Sequence, residues 1–120
     1  MFVVSTVGPD NVTKTVAPFV TGTGAVERGE TVDLFLMQEA TYLASENHVD
    51  LSELVAPGMP PVAEVVKDLQ EDDGLGECVV CKPCSSARGI GSDDLREWAT
   101  LGGPADLARL AADHETSIAY

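Results

Sequence analysis

The sequence predicts an α/β fold, a single three-layer domain over residues 1–120 with a mainly parallel sheet. Two observations carry this prediction. Short β-rich runs alternate with segments of helical periodicity four times along the chain. The run TVDLFLM at 31–37 is also apolar nearly throughout, as in a strand covered on both faces. A chain of 120 residues with 44% hydrophobic content has enough apolar material for one core.

Taken in order, FVVSTV at 2–7 is the first strand, and GPDN at 8–11 is a turn in which Asp10 or Asn11 caps a helix. Val12, Val16, Phe19 and Val20 recur at helical spacing, so this helix runs to Ala25, with Gly22 and Gly24 weakening its end. TVDLFLM is the second strand. Short helical turns are expected around Tyr42 and Leu51. APGMPP at 56–61 is a loop, because its prolines remove donors and fix the chain. Pro61 opens a helix with an apolar stripe of Val62, Val65, Val66 and Leu69. ECVVC at 77–81 is the third strand. Ser92, Asp93 and Asp94 cap a helix carrying Leu95, Trp98 and Leu101, which GGP interrupts. A last helix from Leu107 to Ala112 precedes TSIAY, a terminal strand.

Seven basic against 20 acidic residues give a net charge of −13, spread along the chain. Only three lysines are present, which excludes a nucleic-acid partner, since phosphate binding needs clustered cations. Dispersed carboxylates with scarce lysine suit a protein kept soluble in high salt and hint at a halophilic source; an ordinary acidic cytosolic protein is the alternative. No apolar run reaches the roughly 18 residues of a membrane span, and the opening MFVVSTVGPD has no basic n-region. A cytoplasmic location without membrane attachment is expected.

All three cysteines lie in CVVCKPC, Cys78 to Cys84. An odd, clustered set builds no disulfide framework. Cys78 and Cys81 are three apart on a strand, face opposite sides and lie about 10 Å apart, beyond the ~7 Å limit for a disulfide. Cys78 is therefore read as core. The strand delivers Cys81 to the carboxyl edge of the sheet, where ligands and chemistry gather in such folds. Lys82 and Pro83 then turn the chain so that Cys81 and Cys84 can meet, at the spacing of a dithiol motif. Backbone N–H groups, Lys82 and Arg88 would favour a thiolate and bind an anionic sulfur species. Inert loop cysteines are the bland reading of the same residues. A zinc or iron–sulfur site lacks a fourth ligand near in sequence, since His48 and His114 are distant, so no metal is assigned. Both histidines are read as solvated, and Trp98 as core or subunit contact. Gly8, in the VGPDN turn, is a weak candidate for anion binding, because neither G-x-G-x-x-G nor a Walker pattern is present.

Together these stretches resemble the DsrE/DsrF-like family, small α/β sulfur-relay proteins with a flavodoxin- or Rossmann-like layering. The resemblance rests on the GPD turn, the DLFLM strand, the PGMPP loop, the C-x-x-C-x-x-x-RGI segment, the DDL stretch and the terminal IAY. Its most specific element is a cysteine eight residues before the glycine of an Arg-Gly pair, here Cys81 and Gly89. The resemblance implies that Cys81 accepts a persulfide and that Cys84 belongs to a subset with a second thiol. It further implies no cofactor, persulfide donor and acceptor proteins as partners, and assembly as a homotrimer or homohexamer. Association would also cover Tyr42, Leu43 and Leu54, which lie in a loop-rich connection. Sulfur transfer is the leading reading, with Cys81 as carrier, Cys84 assisting, and Lys82, Arg88 and Gly8 around the substrate. A CKPC thiol–disulfide sensor and a non-catalytic ligand- or partner-binding module are the alternatives.

Overall fold

The computed structural model describes residues 1–120. Its strands are β1 (Phe2–Ser5), β2 (Val32–Leu36), β3 (Leu75–Cys81), β4 (Thr100–Gly102) and β5 (Ser117–Ala119). They form one sheet in the order β4-β3-β2-β1-β5, and every adjacent pair is parallel. The helices are α1 (Val12–Thr15), α2 (Ala17–Glu27), α3 (Val62–Glu71), α4 (Lys82–Ala87) and α5 (Pro104–Asp113). The α/β class and parallel sheet expected from the sequence are thus found. No helix is long and apolar enough to cross a membrane.

Strand alternation sends side chains to two separate cores. On one face Val3, Leu34, Leu36, Cys78 and Val80 pack with Phe19 of α2 and the α3 stripe Val62, Val65, Val66 and Leu69. On the other face Phe2, Phe35, Val79 and Cys81 meet Leu110 of α5. The α3 stripe is buried as the spacing predicts, and Pro61 stands at its N-cap rather than inside its first turn.

The first predicted helix is two. Asn11 caps α1 by accepting from the Lys14 N–H at 3.2 Å. The break at Val16 follows from Pro18, which has no N–H to offer the Lys14 carbonyl. Gly22 does not weaken α2; a Cβ there would lie 2.8 Å from Val32 Cγ1 and 3.1 Å from Leu69, so glycine is what lets α2 approach both β2 and α3.

The helix expected to carry Leu95, Trp98 and Leu101 is absent. A 3-10 turn at Ser92–Asp94 leads into an antiparallel bridge between Ser45 and Leu95, and then into β4. Tertiary contacts outweigh local helical spacing here: Trp98 stands edge-on to Phe19 with centroids 6.4 Å apart, and Val79, Val80 and Cys81 pair with Thr100, Leu101 and Gly102. Gly103 and Pro104 begin α5 instead of ending a helix.

Leu43 is fully buried and Tyr42 and Leu54 are partly covered, so the loop-rich connection does not by itself call for a partner. Of the histidines, His48 is exposed as expected, but His114 is not a solvated residue: its ring stacks on Phe2 and its Nε2 lies 2.7 Å from Asp33 Oδ2.

Candidate functional site

β3 ends at Cys81, which is also the N-cap of α4. Pro83 suits the second position of a helix, where its missing N–H leaves no bond unmade. One turn of helix therefore follows the strand at once, and it carries Cys84 back over Cys81. Cys84 packs, half-buried, against the small core that contains Cys81. All three cysteines are free thiols. Cys78 and Cys81 belong to different cores on opposite faces, as the spacing predicts.

The RGI sequence closes α4. Ile90 N–H donates to Ser85 O at 2.9 Å and Gly89 N–H to Ser86 O at 3.3 Å, the double bond of a Schellman cap, with Gly89 at φ 71°. Glycine adopts that conformation freely, and Ile90 is drawn into the core. The reversal folds Arg88 back over its own helix. Its Nη1 donates to Cys84 O at 3.0 Å and its Nη2 to Glu39 Oε1 at 2.6 Å. Ser85 donates to Cys81 O at 2.8 Å, so both cysteine carbonyls are held.

Glu39 was invisible as a site residue in the sequence. Nothing in the spacing links it to Arg88, 49 positions away. It follows Gln38, which holds a left-handed φ of 53° just beyond β2 and costs about 1–2 kcal/mol relative to an ordinary conformation. Gly8 packs on it from the other side: a Cβ at Gly8 would lie 2.7 Å from Glu39 Cβ and from its carbonyl oxygen. Gly8 is buried, and its carbonyl accepts from Asn11 N–H and Thr15 Oγ1. It thus stands as a packing glycine between β1 and the residue that pairs with Arg88. Lys82 is exposed in the first turn of α4.

The electrostatics reverse the expectation of a favoured thiolate at Cys81. Burial pushes this thiol up, the neighbouring Cys84 thiol adds to the rise, and the Cys84 backbone and the Arg88 charge oppose it without winning. Arg88 in turn holds the Glu39 carboxyl below its usual range, through their hydrogen bond first. Cys78 is pushed up further, by burial and then by Asp33. A thiol held neutral in the fold contributes stability that is complete below the unfolded value of about 8.5 and is lost as pH rises beyond it. Urea unfolding free energies should therefore fall above about pH 8.5 by roughly 1.4 kcal/mol per pH unit per retained thiol proton. Cys78→Ala should flatten that limb; an unchanged slope would contradict it.

A parallel sheet offering two neighbouring thiols at its carboxyl edge defines a small α/β thiol protein. The chain belongs to the DsrE/DsrF-like family, which matches residues 1–120. Membership suggests a function of the sulfur-relay type. Among solved structures, the ychN protein from E. coli is similar with a TM-score of 0.68 and 16% identity, covering 99% of this chain and 97% of that one. A protein of unknown function, MTH1491 from Methanobacterium thermoautotrophicum, is similar with a TM-score of 0.65 and 14% identity, covering 99% and 96%. These likenesses establish the fold. No curated protein sequence matches the chain.

Proposed function

We propose that the protein is a persulfide carrier of a sulfur relay, with Cys81 as the carrying thiol. The observation that supports this best is the placement of Cys81 at the end of an interior parallel strand, 9% exposed, at the N-cap of the helix that carries Cys84. Such a site screens a bound sulfur from water and offers donors to its outer atom.

In the transfer, the Cys81 thiolate attacks the outer sulfur of a donor persulfide. A Cys81–sulfur bond forms, the donor's sulfur–sulfur bond breaks, and the donor leaves as a thiolate with no net oxidation. An acceptor thiolate repeats the step on the outer sulfur held by Cys81. Cys84 supports a second outcome, favoured by its place in the first turn of the helix that Cys81 caps. Its thiolate attacks the inner sulfur, forms the Cys81–Cys84 disulfide and releases hydrosulfide, the two thiols supplying the two electrons. Donor and acceptor proteins are the partners of this reading. It also includes a homotrimer or homohexamer, for which the half-covered apolar residues Val4, Met37, Cys84 and Leu107 beside Cys81 offer a contact face.

Intact mass after incubation with a small persulfide donor tests the carrier. One added sulfur is expected on the wild type and on Cys78→Ala, and none on Cys81→Ser. Cys84→Ser should load and keep its sulfur longer. An adduct that survives in Cys81→Ser, or none on either the wild type or Cys84→Ser, would overturn the assignment.

A further inference from the structure

Burial leaves Cys81 short of thiolate, and the one cation positioned to correct this, Arg88, is already paired with a carboxylate. That pair is a poor candidate for a stabilising feature, since the Glu39 side chain is 51% exposed and exposed ion pairs contribute little. Yet the fold fixes Glu39 from two directions. Gln38 takes a left-handed conformation immediately before it, and Gly8 lacks the side chain that would collide with it. Strain held at a site edge, without a matching gain in stability, is the kind of outlier from which a functional role is inferred.

We propose that Glu39 is a positioning residue that holds the Arg88 guanidinium against the Cys84 carbonyl and offsets its charge, so that opening this ion pair activates the thiol pair. Closed, the guanidinium is shared between the Cys84 carbonyl and the Glu39 carboxylate, so its pull on the sulfurs is partly offset. Opened, it leaves a guanidinium beside them. The same opening frees Arg88 for an anionic sulfur group, such as the terminal sulfur of a bound persulfide, which competes with the Glu39 carboxylate for it. The nature of that anion rests on the carrier reading above, whereas the control of thiol reactivity does not.

The charged and titratable groups around the thiols are few. The 3-10 segment after β2 contributes Glu39 and Tyr42, and α4 contributes Arg88 and Lys82. Across the sheet edge, α5 contributes Asp106, which is engaged with the Gly103 N–H at 2.9 Å and with Arg109. Only the Arg88–Glu39 pair joins an ionic group directly to the cysteine turn.

Iodoacetamide alkylation of Cys81 and Cys84, resolved by peptide mass and followed against pH, tests this without any persulfide. Glu39→Gln leaves Arg88 unopposed, so alkylation at neutral pH should quicken by about threefold to tenfold and the rate profile should move to lower pH. Arg88→Gln leaves the carboxylate unopposed and should move the profile the other way. The double variant should return close to the wild type, and Glu39→Asp, which keeps the charge, should resemble it. Molar KCl should shrink each shift. Shifts of the same sign in both single variants, or none in either while urea midpoints stay near that of the wild type, would overturn the proposal. A negative sulfur-loading result would leave these outcomes standing, so the two readings fail separately.

Discussion

Phe35→Ala is expected to lower the unfolding free energy by about 3–5 kcal/mol, the usual cost of removing a buried aromatic ring. Phe35 is 1% exposed in the middle of β2, and with Phe2, Val79, Cys81 and Leu110 it makes up the smaller of the two cores. This layer has one long helix, α5, over it, and Leu110 is the only buried residue of that helix. There is little neighbouring material to collapse into the space, so the cost should sit toward the upper end of the range. The same cavity opens beneath Cys81, and its alkylation should quicken along with the loss of stability. Urea unfolding followed by circular dichroism checks the first effect. Val55→Ala, at a side chain 51% exposed, serves as the control and should change stability by less than about 0.5 kcal/mol. A loss below about 1.5 kcal/mol at Phe35 would mean that α5 and its neighbours do collapse into the space the ring leaves.

The parts of this architecture that were legible in the sequence are those in which local pattern and global packing agree. Val62, Val65, Val66 and Leu69 announce both a helix and the face it buries. The apolar VDLFL run is covered on both faces because α2 and α3 lie on one side and α5 on the other. Cys78 and Cys81 could be separated by strand geometry alone. What stayed hidden depends on contacts between distant segments. Leu95, Trp98 and Leu101 have helical spacing, yet they form a bridge, an aromatic contact and a strand, because β3 offers an open edge and Gly102 lets β4 lie against Val79: a Cβ there would be 2.4 Å from Val79 Cγ1. Gly8 looked like part of an anion-binding turn and proves to be the residue on which Glu39 packs. Lys82 and Arg88 suggested a favoured thiolate, but charge counted along a sequence says nothing of burial or of a carboxylate 49 residues away.

Arg96 was also unremarked in the sequence, as one of four arginines in a strongly acidic chain. It fastens the connection that leads away from Glu39. Its Nε donates to Leu43 O at 3.0 Å, and its Nη2 donates to Ser45 O at 3.4 Å and to Val49 O. Three carbonyls of one irregular stretch thus share a single guanidinium, and no other side chain is bonded to them. Burial holds this arginine somewhat below its ordinary range, with Glu46 and Asp50 opposing that effect, so the group is charged in the fold. Arg96→Met should remove the donors while retaining much of the side-chain volume. It leaves the Leu43 and Val49 carbonyls unpaired, at about 1–3 kcal/mol for each that water does not reach, while Ser45 O keeps the His48 and Val49 N–H groups, so a total loss of about 3 kcal/mol is expected. Arg96→Lys should recover less than half of it, because one ammonium on a flexible stem does not reproduce a planar fork that reaches three acceptors. Native-state proteolysis should place the new cleavage within residues 43–49, ahead of global unfolding, since local opening follows the loss of the bonds that close a segment. Arg28→Met, which removes an exposed pair with Glu30, should leave both readouts near the wild type. If Arg96→Met behaved like Arg28→Met, the connection would have to be held by its buried Ala40, Leu43 and Ala44 alone.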